Sequence, residues 1–592
     1  VESLATTRVG GDERRWGLVT RLEAPRVAWA VLAMLLAGTG AVLLYETRGT
    51  TLWFDEWMWA LDRRGNDLDA FLQPHNGHLS LVPIGIYRVL FATAGLDHYW
   101  PYRVVVIGAH LACVALVFSY ASRRLGGFLG LLAASLVLFL GPAFQNILWP
   151  FQVGWLVSLG AGIGALLMLD RNDRAGDLWA CVLLSLSLAS SGLGLAIVAG
   201  VLVELVWGRR RWQNLWIVAV PIVLYVPWWL HYQDSNWIRV AKASGIGHPV
   251  LNGILQAPGF VANSAGSALS ALLGLGGQTG LDLSGPGTFL VWGPALVIAA
   301  VAVLLRRMAR PRPFRPRVLA LLAMALTFWA LTAISRGFIS QPYTSRYLYV
   351  GGLLIVLVAV ELAAESAISQ RVAVVLALGV VAIAVSNAGA FRDGGRYLRT
   401  QAQITRAQVT ALDIARPVVE PRFVANAFFG LVAGPYFAAE RAIGSPAVSP
   451  EKLATEPEPV RQQADGQLVR MHRPGLRSPP VAAASGSPPR VDTATGGGLT
   501  KHGSCLSFRR AGFTASSTTG EVRVTVPRTG VLVMAQGGSL AVGVRRFADE
   551  FQPLGTVAPG ASASLRIRPD LAPQPWHLSV TPTERAMLCG LG

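Results

Sequence analysis

The feature that most constrains this chain is a series of apolar runs near the ~20 residues needed to cross a bilayer, separated by short arginine-rich stretches. The runs lie at about 27–45, 103–121, 126–141, 146–168, 178–190, 192–207, 215–231, 289–305, 318–335, 345–362 and 371–388. In lipid the backbone must satisfy its own hydrogen bonds, so runs of this kind are helices. The expected fold class is an all-α polytopic membrane bundle of about 11 transmembrane helices. Composition agrees. The chain is 52% hydrophobic and only 14% charged, against about 25% charged in a soluble protein. A net charge of +18 would suggest nucleic acid if spread over a soluble domain. Here much of it sits in arginine clusters between apolar runs, so the expected partner is the bilayer and not nucleic acid.

Arginine placement sets the sidedness. Residues 1–25 are polar and basic, and the run after them lacks a cleavage site, so it is expected to stay as the first span with its basic flank inside. The loops carrying Arg123-Arg124, Arg171 to Arg174, Arg209-Arg210-Arg211, Arg306 to Arg317 and Arg371 then all fall on one side, as cytoplasmic loops do. This predicts a multi-pass plasma-membrane protein with a cytoplasmic N-terminus (1–26), a membrane domain over 27–390 and an extracytoplasmic C-terminus. The run Leu79 to Ala94 would invert every later loop if it crossed. It is expected to lie along the interface or fold back, with Arg88 in polar surroundings. Two outer loops, 46–102 and 232–288, are long. Within the second, 249–276 is expected to re-enter the membrane or to rest on its outer surface.

Composition changes after residue 390. Residues 391–447 read as an extracytoplasmic helical segment, and 448–502, rich in Pro, Ala and Ser, as a linker or disordered segment. From 503 to 592, short alternating runs such as Glu521 to Val526 and Ser539 to Val544 predict a β-sandwich, with carbohydrate binding as a candidate role. Cys505 and Cys589 bracket it and are the candidate disulfide in an oxidising compartment.

The chemistry-bearing residues gather at the predicted outer edge. Asp55 and Glu56 stand just past the first span among Trp53, Phe54, Trp57 and Trp59, and carboxylates there need a solvated pocket or partners. Either suits a general base. Pro74 and Gly77 argue that His75 and His78 sit in a turn, as candidates for binding an acceptor sugar or phosphate, or for joining a carboxylate at a metal. The pattern does not specify a metal site. Arg346, with Tyr343, Tyr347 and Tyr349 around it, can clamp a phosphate with several donors, and the aromatic rings suit a lipid chain. Gln152 and His231, with Gln145, Asn146, Tyr232, Gln233 and Asp234 near them, are further candidates at outer helix ends.

Together, the many spans, the acidic motif Asp55-Glu56 in the first outer loop, the arginine of Ser345-Arg346-Tyr347 and the outer C-terminal domain resemble the GT-C superfamily of integral-membrane glycosyltransferases. Within that group the sandwich-bearing tail resembles actinobacterial cell-envelope enzymes such as arabinofuranosyltransferases. The resemblance implies a glycosyltransferase (EC 2.4 class) using a polyprenyl-phosphate sugar donor, with arabinofuranose as a candidate sugar. The acceptor would be a cell-envelope polysaccharide or glycolipid. It implies an inverting reaction with Asp55 as base, Glu56 as second choice, and Arg346 on the donor phosphate. No cofactor is certain, and a divalent cation stays open. The alternatives are a lipid-linked oligosaccharide polymerase or ligase and, behind it, a lipid-linked-sugar flippase.

Overall fold

The computed structural model describes residues 22–208, 212–232, 238, 242–243, 245–275, 289–309, 314–365, 368–477, 486–511 and 520–592. Calls that fall on Arg8 to Arg21, Arg209 to Arg211, Gln233 and Asp234 lie outside them. In chain order the helices are α1 (Pro25–Glu46), α2 (Asp55–Asp62), α3 (Leu68–Leu72), α4 (Leu81–Thr93), α5 (Trp100–Leu125), α6 (Gly127–Leu138), α7 (Phe144–Leu148), α8 (Val153–Leu169), α9 (Arg174–Ser190), α10 (Gly194–Trp207), α11 (Trp216–Tyr232), α12 (Pro249–Leu272), α13 (Phe289–Met308), α14 (Pro316–Arg336), α15 (Ser345–Ala363) and α16 (Gln370–Ile414). The chain divides into two compact units. The first comprises 1–49, 63–94 and 99–399, and the second 50–62, 95–98 and 400–592.

The first unit is a helix bundle. Seven helices among the described residues are long and apolar enough to cross a membrane, or eight if the bent pair Gly127–Leu138 and Gly141–Leu148 is one span. The sequence suggested about eleven. The difference lies in short segments: α10 has 14 residues and at 1.5 Å per residue reaches only about 21 Å of a ~30 Å core. Helix α4 has 13 residues and is likewise too short to cross. The polar surroundings expected for Arg88 are present, since its guanidinium donates to the carbonyls of Arg63 (2.8 Å) and Gly65 (2.5 Å) and to Asn66 Oδ1 (2.6 Å).

Arginine-bearing helix ends meet at one end of this bundle. Arg124 pairs with Glu361 and, at 3.1 Å, with Asp170. Arg317 reaches Asp170 at 3.0 Å and Glu204 at 2.7 Å, and Arg307 reaches Glu365 at 2.5 Å. Buried charges persist only when paired, so this network ties together the ends of α5, α8, α10, α13, α14 and α15. The opposite end carries Arg336, the last residue of α14, and Arg346 at the start of α15. Helix α12 packs towards that second end. Gly253 abuts Ile334, Gly266 abuts the backbone of Gly293, and Gly352 lies against Leu272. Small residues allow such close backbone approach.

In the second unit the later elements are β1 (Val424–Asn426), β2 (Leu431–Val432), α17 (Ala433–Ile443), α18 (Pro450–Leu453), α19 (Glu458–His472) and strands β3 (Arg490–Thr495), β4 (Gly497–His502), β5 (Cys505–Arg510), β6 (Glu521–Thr525), β7 (Val531–Gln536), β8 (Leu540–Arg545), β9 (Gln552–Val557), β10 (Ser562–Leu565), β11 (His577–Pro582) and β12 (Arg585–Gly590). Residues 448–502, expected as linker, therefore carry two helices and two strands. What orders α19 is long-range. The Asp465 carboxylate accepts the backbone N–H groups of Arg546, Phe547 and Ala548 at 2.8–3.1 Å, and His472 and Arg546 both bond Asp570. The strands form two five-stranded antiparallel sheets, ordered β10-β7-β12-β5-β4 and β3-β6-β11-β8-β9. Alternate residues such as Val522, Val524, Val542, Val544, Leu578 and Val580 are buried, as the period of two requires. Cys505 and Cys589 face each other across β5 and β12 and are disulfide-bonded.

Candidate functional site

The Arg336/Arg346 end of the bundle is organised by a tight turn. His75 and His78 exchange both backbone hydrogen bonds at 3.0 Å, and the two residues between them, Asn76 and Gly77, have φ of 52° and 79°. That is the left-handed pair of a two-residue hairpin, for which Asn-Gly is the favoured sequence. The turn is pinned from a distance, because the Arg336 guanidinium donates to the Asn76 carbonyl. The His75 ring meets Phe151 edge-on at 5.4 Å, and Phe151 stacks on Trp149 at 4.9 Å. His78 lies against Gly192, where a Cβ would overlap its Nδ1.

Burial, then the positive charge of Arg336, His75 and Arg346, pushes the His78 pKa down to about 3. His78 is therefore a neutral hydrogen-bonding group at pH 7, not a second cation for phosphate. The nearby cations add to the burial in disfavouring a charge on His78. Arg346 itself is half-buried in the first turn of α15, with its Nη2 3.4 Å from Ser340 Oγ and its guanidinium over the Tyr347 ring at 5.6 Å. A helix N-terminus with an arginine on it favours an anion.

The tyrosines beside Arg346 divide. Tyr347 is buried among Trp155, Phe260 and Phe328, at ring distances of 6.1, 6.5 and 6.3 Å. Tyr349 is fully buried and shares a 2.9 Å hydrogen bond with His110 Nδ1 on α5. Both point into the bundle. Tyr343, in the loop before α15, is half-buried.

Between α6 and α8 the chain breaks. The α6/α7 pair bends by 49°, and Pro150–Gln152 forms a 3-10 turn before α8. The Gln145 backbone N–H donates to Ser345 Oγ at 3.1 Å, which fastens this segment to the residue preceding Arg346. Gln145, Asn146 and Gln152 are 6%, 0% and 1% exposed.

An open cavity of about 640 Å³ lies between α3, α9 and α11. Its wall is mostly apolar, including Leu72, Leu188, Tyr225 and Trp228, and Leu79, the residue after His78, also lines it. This is the size and character of a small-ligand or lipid-chain slot. His231 borders this cavity, with its ring edge-on to Tyr232 at 4.6 Å. Tyr232 donates to Asp69 at 2.5 Å.

The acidic pair belongs to the second unit. Asp55 opens α2 and Glu56 follows, 2% and 0% exposed. Glu56 Oε2 accepts the Trp53 backbone N–H at 2.9 Å, the reach-back half of a capping box. Phe54, between them, has φ of 53°, an unusual value for a bulky residue. Its ring packs at 4.6 Å on Phe428. Trp57 Nε1 donates to the Leu52 carbonyl at 3.2 Å. Glu56 thus holds the helix start. No group of three or more His, Cys, Asp or Glu residues suited to a metal occurs among the described residues. Sequence reading passed over Gly192 and Asn76 as site-forming residues. Asn-Gly carries a local turn signal, whereas nothing local marks Gly192.

No protein-family profile matches the chain, and no curated protein does. Among solved structures the chain resembles ArnT from Cupriavidus metallidurans bound to undecaprenyl phosphate, at 15% identity over 71% of this chain and 85% of that one, with a TM-score of 0.41. The apo form of the same protein gives a TM-score of 0.42 at 15% identity, over 72% of this chain and 91% of that one. It also resembles arabinosyltransferase EmbB from Mycobacterium smegmatis, at 11% identity over 99% of this chain and 66% of that one, with a TM-score of 0.37. At TM-scores under 0.5 these likenesses are too distant to bear on function.

Proposed function

We propose that this chain is a GT-C-like membrane glycosyltransferase that moves a sugar from a polyprenyl-phosphate donor to a cell-envelope glycan acceptor. One observation carries the reading: Arg346 and Arg336 place positive charge about a neutral His78, and Leu79, the next residue in the chain, lines an apolar cavity of about 640 Å³. A phosphate on a long hydrocarbon chain has the matching chemistry, an anion attached to an apolar tail. Arg346 holds the donor phosphate. The acceptor hydroxyl attacks the anomeric carbon from the face opposite the phosphate and the configuration inverts. The bond from anomeric carbon to phosphate oxygen breaks, polyprenyl phosphate leaves with the electron pair, and Asp55 takes the hydroxyl proton. Arabinofuranose is the proposed sugar, on the sequence resemblance to arabinofuranosyltransferases. The reaction faces the outer leaflet, with the N-terminus cytoplasmic. The two sheets of the second unit pack as a sandwich that grips acceptor glycan.

The test is a membrane assay with purified protein and polyprenyl-phosphate sugars. Asp55→Asn should lose turnover and keep donor binding, and Arg346→Ala should lose donor binding. Glu56→Gln, which keeps an oxygen for the Trp53 N–H, should retain turnover. Full turnover in Asp55→Asn refutes that residue as base. Turnover only with a diphosphate-linked oligosaccharide would favour a polymerase or ligase instead.

A further inference from the structure

The helix break between α6 and α8 holds a set of polar atoms that the fold does not use. Gln145 Oε1, both polar side-chain atoms of Asn146 and Gln152 Oε1 are buried and meet no hydrogen-bond partner among the described residues. Leaving such a group unpaired in the interior is destabilising, and buried polar atoms are otherwise almost always satisfied. Three such side chains fall within one short kinked segment. Their chemistry is uniform: each is a neutral carboxamide, able to accept through oxygen and donate through nitrogen.

Their place is defined by two contacts. The Gln145 N–H on Ser345 Oγ sets the segment one residue from Arg346, and the Phe151 ring rests on His75. The segment is thereby fixed at the start of the helix that carries Arg346.

We infer that Gln145, Asn146 and Gln152 form the donor-sugar subsite and select a neutral, polyhydroxylated ring through its hydroxyl groups. The inference rests on the polyprenyl-phosphate reading above. A site built to hydrogen-bond hydroxyls rejects analogues that lack them, because its own buried groups are then left unpaired.

The experiment compares two probes on purified full-length protein: farnesyl phosphate, and farnesyl phosphate carrying arabinofuranose. Affinities and unliganded unfolding midpoints are measured for the intact chain, Asn146→Leu and Gln152→Leu. The intact chain should bind the glycosylated probe at least tenfold tighter. Each variant should lose tenfold or more of that affinity, bind farnesyl phosphate within twofold of the intact chain, and unfold no earlier, since an apolar isostere removes an unpaired group. Variants that unfold earlier yet discriminate the probes like the intact chain would assign the carboxamides a structural role and overturn the inference. If Asn146→Leu does not fold, Gln152→Leu makes the same comparison. An intact chain that binds neither probe refutes the polyprenyl-phosphate reading, and this one with it. An intact chain that binds both probes equally refutes only the sugar subsite.

Discussion

Lowering the pH should destabilise the first unit through His78, by an amount the site geometry sets. An ordinary histidine titrates near 6.5, whereas His78 is pushed to about 3 by burial and by Arg336, His75 and Arg346. Its folded pKa is depressed, so the stabilisation is complete well above pH 6.5. It is lost as the pH falls from 6.5 towards 3, because the unfolded chain takes the proton first. Between pH 7 and pH 5 the full linkage is about 2 kcal/mol. His78 keeps part of its surface accessible, which screens the charges, so about 1 kcal/mol is expected. The assay is unfolding of detergent-solubilised protein in SDS, followed by tryptophan fluorescence at pH 7 and pH 5, for the intact chain and His78→Asn. The difference between the two pH dependences reports His78 together with its coupling to His75. A phosphodiester keeps its single charge over this range. With His78 neutral over this range, donor affinity should not rise between pH 7 and pH 5 through this residue. Equal loss of stability in the two proteins would refute the depressed pKa of His78.

Gly192→Ala drives a Cβ into His78 Nδ1. It should cost about 1–3 kcal/mol in the same unfolding assay and weaken donor binding, with partial rescue by His78→Ala. Arg317→Met leaves Asp170 and Glu204 without a major partner, which should cost about 3–5 kcal/mol and appear as an early thermal transition in detergent. The Cys505–Cys589 disulfide closes a loop with a sequence separation of 84. Chain entropy puts its contribution at about 4–5 kcal/mol, so Cys505→Ser should make residues 486–592 sensitive to limited proteolysis while the bundle stays intact.

Local pattern alone carried much of this architecture. Long apolar runs become helices because lipid leaves the backbone no other partner, and α1, α5, α14 and α15 lie where the runs are. The alternation of Glu521 to Val526 and of Ser539 to Val544 reads directly as β6 and β8, since side chains alternate faces. Asn76-Gly77 announces its turn for the same local reason. Strands β3, β4 and β9 were hidden because they are exposed and rich in Gly, Thr or Pro, so their pairing depends on neighbours distant in sequence. Helix α19 was hidden in a Pro- and Ala-rich stretch because what orders it, the Asp465 carboxylate on the 546–548 backbone, lies eighty residues away.

The candidate site divides along the same line. Its residue types were legible: acids, histidines and Arg346 are costly near lipid and therefore conspicuous. Their division of labour was not. Only tertiary contacts turn Tyr349 towards His110, set Gly192 against His78, and fasten Gln145 to Ser345. Sequence determines which groups are present and how each segment folds, because those depend on near neighbours along the chain. Which group meets which, and hence its protonation and chemistry, is a property of packing between segments.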